Sequence, residues 1–213
     1  MTRIIAFVSQ KGGVGKSTLS RAFAREALKN DLSVKIADLD TQQRTTAEWQ
    51  GNRARHEHEP RVPVEVYSTA KQAITDSESF DIFILDCPAR TSEATLQIAE
   101  QADLVIQPTG ASLDDLHPGV KEFNALVKKG VPRAKLAFAL NHIGTKAEEE
   151  QTREYIAEAM FHVLEGCLRE KPAYRQAQNS GLAVNETRYT ALNEEADQLI
   201  QSIIDRLVEV SDG

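Results

Sequence analysis

An apolar run, Ile4-Ile5-Ala6-Phe7-Val8, leads into Gln10-Lys11-Gly12-Gly13-Val14-Gly15-Lys16-Ser17-Thr18, and a helical pattern follows from Ser17 through Leu28. This passage leaves the chain the fewest options. Strand, glycine-rich turn and helix together are the setting of a phosphate-binding loop. Glycines let consecutive main-chain N–H groups turn inward around an anion. The helix that follows points the positive end of its dipole at the same spot. In such a loop Gly12, Gly13, Val14 and Gly15 form the cradle and Lys16 reaches the β- and γ-phosphates of a nucleotide. The Ser17 hydroxyl ligates Mg²⁺, with Thr18 beside it. A glycine-rich turn carrying two solvated lysines is the bland alternative, and the agreement of strand, loop, Lys16 and Ser17 argues against it.

The loop departs from the usual G-x-x-x-x-G-K-[ST] form: Gln10 stands where the first glycine is expected, and a second lysine, Lys11, follows it. The form K-G-G-x-G-K-[ST] resembles the deviant Walker A motif of the ParA/MinD family of ATPases. The resemblance implies ATP as the nucleotide. It also implies an ATP-bound homodimer in which Lys11 of one subunit reaches the phosphates held by the other.

Apolar runs alternate with helical patterns along the remainder. Strands are expected over residues 4–8, 34–37, 64–67, 82–85, 104–106 and 136–140. Helices are expected over 17–29, 42–56, 92–100, 114–129, 147–160 and 190–209. Several strand runs are continuously apolar, as in parallel strands covered on both faces. The expected fold is α/β, a doubly wound, mostly parallel sheet with helices on both faces, of the P-loop NTPase type. The 213 residues suit one ATPase domain over 1–213. Ligands in such sheets sit beyond the carboxyl ends of the strands.

Three further strand ends carry candidate site residues. Asp38-Leu39-Asp40 places two acids, one residue apart, on the same side of a strand end. One or both can address a Mg²⁺-bound water or an attacking water; the competing role is a helix cap, through Asp40 or Thr41. The D-x-D-x-Q pattern resembles the second box of the family, which implies that Asp40 helps position the hydrolytic water, although Thr41 stands where the family often has proline. Asp86, at the end of a buried apolar run, has the form of a Walker B acid that holds Mg²⁺. Asp86-Cys87-Pro88-Ala89 matches the family's form, and residues 88–92 are then the expected switch sensing the γ-phosphate. Asn141 ends the 136–140 run. An amide both donates and accepts, and the resemblance implies that it reads adenine; an ordinary turn asparagine is the alternative.

Elsewhere the signals are weaker. Arg169, Lys171, Arg175 and Arg188 are basic residues of the C-terminal third. The resemblance implies non-specific DNA binding through such residues, whereas Glu170 and Glu186 among them favour ordinary surface charge. The net charge of −7 provides no global basic field. His56 and His58, two apart on a helix end that reads as solvated, do not share a face as metal ligands would. Cys87 and Cys167 have no metal or redox spacing, Cys87 reads as a small half-buried residue, and a reduced cytoplasmic setting fits. The first residues enter a strand directly, so no signal peptide is expected, and no apolar run approaches membrane-spanning length. The last helix has an i, i+3, i+4, i+7 apolar stripe but an acidic polar face, which anionic lipid would repel; it reads as a closing helix on the sheet, and no membrane partner is expected.

Taken over essentially the whole chain, the resemblance is to a small ParA-like ATPase without the N-terminal DNA-binding extension of larger relatives. It implies Mg²⁺-dependent ATP hydrolysis, nucleoid association in a bacterial cytoplasm, and a centromere-binding (ParB-type) adaptor protein in the segregation of plasmid or chromosome. Two alternatives remain: a related ATPase positioning another cargo, and a metabolic ATP-dependent enzyme of the same fold, for which Lys11 would be dispensable.

Overall fold

The computed structural model describes residues 2–89 and 93–212. Seven strands form one sheet: β1 (Arg3–Phe7), β2 (Val34–Asp38), β3 (Val64–Val66), β4 (Ile82–Asp86), β5 (Leu104–Thr109), β6 (Leu136–Leu140) and β7 (His162–Val163). The helices among them are α1 (Lys16–Lys29), α2 (Thr45–Arg55), α3 (Ala70–Thr75), α4 (Glu93–Gln101), α5 (Leu113–Lys128), α6 (Lys146–Glu158), α7 (Pro172–Asn179) and α8 (Thr190–Asp212). Strand order is β3-β2-β4-β1-β5-β6-β7, and every pairing is parallel.

The continuous apolar runs have a direct cause. Successive strand residues point to opposite faces, and both faces are covered. Ile5, Phe7, Ile82, Ile84, Leu104 and Ile106 pack with residues of α1, α2, α7 and α8. Ala6, Val8, Phe83, Leu85 and Val105 pack with residues of α3, α4, α5 and α6. The apolar stripe of α8, Ala196, Leu199, Ile200, Ile203 and Leu207, is buried in the first of these layers. No helix of the described residues is long and apolar enough to cross a membrane.

Several boundaries differ from the sequence expectation. β5 continues through Gln107, Pro108 and Thr109. Proline is tolerated there because β1 pairs with β5 only as far as Ile106, which leaves Pro108 without a ladder neighbour on that side. α2 begins at Thr45 rather than 42, since Asp40 closes a turn by accepting from the main-chain N–H groups of Gln42 and Gln43. α3, six residues capped by the Thr69 side chain, and the two-residue β7 are too short to show a period. α8 runs on to Asp212. Arg53, expected in a solvated helix end, is instead 1% exposed. It grips both oxygens of Glu186 and the carbonyls of Glu59, Pro60 and Gly181. Cys87, expected to be half-buried, is buried in the second of the two layers.

Candidate functional site

β1 lies at the centre of the sheet, where the chain changes direction of winding, so the loop after it opens at the switch point. Gly13 and Gly15 have φ of 77° and 110°. At Gly15 a side chain is excluded twice: the backbone is left-handed, and a Cβ would run into the Asn141 amide nitrogen. Gly15 is also the N-cap of α1 and offers no side-chain acceptor. The first N–H groups of α1 therefore remain available to an anion.

The two loop lysines stand in different surroundings. Lys16 is buried, and its Nζ donates to the Lys11 carbonyl across the loop at 3.2 Å. Burial lowers its pKa, opposed by the charges of Asp86, Cys87, Asp40 and Glu122. Lys11 is 47% exposed and forms an ion pair with Asp115 on α5. Asp115 in turn accepts from the Ser112 hydroxyl at 2.9 Å, which ties it to the start of its helix.

Behind the loop, β2 and β4 end in buried acids. Asp38 accepts three main-chain N–H bonds, from Asp40, Thr46 and Ala47, each at 3.1 Å. It is Asp38, and not Asp40 or Thr41, that caps α2. Burial pushes the Asp38 carboxyl up, and these bonds hold it back. Asp86 is 3% exposed. Its Oδ2 accepts from the Thr46 hydroxyl at 2.6 Å, and its Oδ1 is buried with no hydrogen bond of good geometry among the described residues. Burial raises its pKa, opposed by the hydroxyls of Thr46 and Ser17 and by the Arg21 guanidinium. Ser17 Oγ lies 3.4 Å from Thr45 Oγ1.

This donor set suits Mg²⁺. A hydroxyl and one carboxylate with an orphaned oxygen are hard ligands, and magnesium takes few protein ligands, completing its shell with phosphate and water. No group of three or more His, Cys, Asp or Glu residues among the described residues competes as a metal cage.

On the far side of the loop, Asn141 donates through Nδ2 to the Val14 carbonyl at 2.7 Å, and His142 Nε2 lies 3.1 Å from the Gly13 carbonyl. The end of β6 thus braces the loop. A crevice beside it is lined by Thr18, Asn141, Arg169, Lys171, Tyr174 and Arg175, among others. Thr18 Oγ1 donates to Gln178 Oε1 at 3.0 Å across the same crevice. Three of the four basic residues singled out from sequence therefore line one crevice with Thr18 and Asn141. Arg169 pairs with Glu149 at 3.2 Å, and Arg175 lies 4.0 Å from Glu170. Arg188 stands apart, hydrogen-bonded to the Tyr189 hydroxyl at 2.6 Å. Residues 90–92 of the expected switch lie outside the described residues.

Two charged residues of the site escape sequence reading. Glu122 is 3% exposed and neither of its oxygens has a hydrogen bond of good geometry. Burial pushes its carboxyl up to about 7, against the pull of the Gln10 amides and Lys16. Its signal was its place in the inward stripe of α5, with Leu116, Gly119, Phe123 and Leu126. Arg21 is the second, buried within α1 between Leu19, Ala22 and Phe23.

The family model described as the CobQ/CobB/MinD/ParA nucleotide binding domain matches residues 5–184. A search of curated proteins by sequence finds no match. Three solved structures give the scale of the likeness in fold. The septum site-determining protein MinD of Pyrococcus horikoshii OT3, complexed with Mg-ADP, is 17% identical with a TM-score of 0.73, over 95% of this chain and 96% of that one. A Cyanothece McdA–ATP complex is 17% identical with a TM-score of 0.70, over 95% and 96%. A putative plasmid partition protein of Borrelia burgdorferi B31, bound to AMPPNP, is 16% identical with a TM-score of 0.72, over 97% and 100%. The chain belongs to the CobQ/CobB/MinD/ParA nucleotide-binding family.

Proposed function

We infer that this member of the CobQ/CobB/MinD/ParA family is an ATP-driven dimerising switch of the partition type, with residues 1–213 acting as one ATPase domain. The observation that carries the reading is the contrast between the loop lysines. Lys16 is folded into its own loop, while Lys11 stands outside it, half-exposed and tethered to Asp115. A half-exposed lysine at the front of the loop, held by its ion pair with Asp115, is available to a second subunit.

In this reading the loop amides and Lys16 bind the ATP phosphates. Ser17 and Asp86 hold Mg²⁺, which when bound neutralises phosphate charge and orients the phosphates. Asp40 secures its turn through Oδ1 and orients the attacking water through its other oxygen. Asn141, with Nδ2 committed to Val14, offers Oδ1 to the adenine amine. Two subunits close face to face, each lending Lys11 to the other. The closed dimer binds DNA without sequence preference and a ParB-type adaptor stimulates hydrolysis, in a nucleoid-associated cycle that segregates plasmid or chromosome. The similar structures crystallised with Mg-ADP, ATP and AMPPNP support ATP and Mg²⁺ as ligands.

One observation favours a second reading, in which the cargo is a protein body. Arg169 is paired to Glu149 and Arg175 is close to Glu170, so the basic patch is partly neutralised. Binding to random-sequence duplex without nucleotide, with ADP, or with ATP and Mg²⁺, at two salt concentrations, separates the two. Binding that is ATP-dependent and weakens with salt supports the partition reading. Intact ATPase activity and ATP-dependent dimerisation with no DNA binding move the assignment to cargo positioning. ATPase activity that persists undiminished in Lys11→Ala overturns the dimerising switch and favours a metabolic enzyme.

A further inference from the structure

Arg21 sits on α1 one turn beyond Ser17, and it is 7% exposed. Its Nε donates to Thr46 Oγ1 at 3.1 Å and its Nη1 to Gln178 Oε1 at 3.4 Å. Its guanidinium carbon lies 5.5 Å from the centroid of the Trp49 ring. No carboxylate of the described residues pairs with it directly, although Asp86 and Asp38 are the charges that favour its cationic form against burial. An arginine taken out of water without an ion pair is costly. An alkyl side chain would fill the same place against the Trp49 ring more cheaply.

The geometry at Thr46 supplies a reason. A hydroxyl carries one proton. Thr46 Oγ1 lies 2.6 Å from Asp86 Oδ2, and a carboxylate can only accept, so the proton points to Asp86. Arg21 has only donors, so it presents its N–H to the lone pair on the other side of Thr46 Oγ1. The order Arg21 to Thr46 to Asp86 thus has a single direction. It commits Oδ2 of Asp86 to Thr46 and leaves Oδ1 as the unpartnered oxygen. The main-chain N–H of Thr46 is fixed as well, by Asp38.

We propose that Arg21 is a positioning residue of the cation site, acting through the Thr46 hydroxyl to hold Asp86 with one oxygen engaged and the other free for the metal. This rests on the nucleotide and Mg²⁺ reading of the site. Partners that orient a metal ligand from outside its contact shell matter about 10–100-fold in metal affinity.

The test measures the affinity of a fluorescent ADP analogue with Mg²⁺ and with EDTA, for wild type, Arg21→Met, Arg21→Lys, Thr46→Val and Arg21→Met/Thr46→Val. Thermal melts and far-ultraviolet circular dichroism check that each variant is folded. Arg21→Met and Thr46→Val are each expected to lose about tenfold of the Mg²⁺-dependent gain while the EDTA affinity changes by less than about threefold. The double variant is expected to be no worse than either single one, because both cut the same relay. Arg21→Lys recovers part of the gain only if its ammonium reaches Thr46. Losses that add, or equal losses in Mg²⁺ and EDTA, overturn the proposal, because they mark Arg21 as a general packing residue. Thr46→Val, which leaves Arg21 in place, keeps the test decisive if Arg21→Met unfolds. A wild type with no Mg²⁺-dependent nucleotide binding overturns the reading of the site itself. A responsive wild type with unchanged variants overturns the role of Arg21 alone.

Discussion

Lys11 and Asp115 form an ion pair within one subunit, joining the front of the phosphate loop to the first turn of α5. In the proposed dimer this pair must break before Lys11 can reach a second subunit. A half-exposed pair of this kind is worth about 0.2–1 kcal/mol. Each subunit lends one lysine, so a dimer breaks two such pairs, and Asp115→Asn is expected to raise the ATP-dependent dimerisation constant by up to about thirtyfold in sedimentation or light scattering. Lys11→Ala is expected to abolish the dimer whether or not Asp115 is changed, with nucleotide binding retained. Lys16→Ala removes a charge-assisted contact worth about 1.5–3 kcal/mol and is expected to cost at least tenfold in nucleotide affinity. A weaker dimer in Asp115→Asn would mean that Asp115 serves the closed form instead of opposing it.

Gly15 and Asn141 are fitted to one another, and a double-mutant cycle reads that fit. Gly15→Ala meets both the Asn141 amide and a φ of 110°. Asn141→Ala removes the first obstacle and deprives the Val14 carbonyl of its buried donor, costing about 1–3 kcal/mol. The double variant is expected to bind nucleotide better than Gly15→Ala alone yet worse than Asn141→Ala, since backbone strain remains. Equal affinity in the double variant and Asn141→Ala would show that the φ requirement costs nothing.

Glu122 predicts a slope of stability with pH. Its carboxyl is raised from an ordinary 4.5 to about 7, so between those values the folded state holds more protons than the unfolded one. Stability contributed by the neutral acid is complete below 4.5 and declines as pH rises towards 7. At about 1.4 kcal/mol per pH unit the decline is roughly 3 kcal/mol. Glu122→Gln is expected to flatten this part of the denaturant-derived profile. A slope that survives the substitution assigns it to another group.

Arg53 and Glu186 join α2 to the segment after α7 through a 2.6 Å pair with little exposure. Breaking a buried pair from one side costs about 3–5 kcal/mol. Glu186→Gln is expected to lower the melting temperature by about 10 °C, at roughly 2–4 °C per kcal/mol for a chain of this size. Arg53→Met/Glu186→Leu is expected to recover part of that loss. If Glu186→Gln melts with the wild type, the pair is not a stabilising contact.

The βαβ frame, the phosphate loop with its two lysines, and the acid at the end of β4 are legible in the chain alone. Those features rest on short-range rules: continuous apolar runs, glycine before a helix start, a carboxylate closing a buried strand. Packing settled which acid caps α2 and which closes its own turn. Asp38 and Asp40 are alike in the chain, yet one is consumed by the start of α2 and the other closes a turn of its own. It likewise decided that Lys11 answers to Asp115, 104 positions away, and that Arg21, Glu122 and Arg53 are inside the protein. Periodicity places a charged residue on a face, but only the packing of distant elements settles whether that face meets water, a carboxylate or a hydroxyl. The same holds for Arg169, Lys171 and Arg175, surface charge along the chain but joined with Thr18 and Asn141 in one crevice once the chain folds.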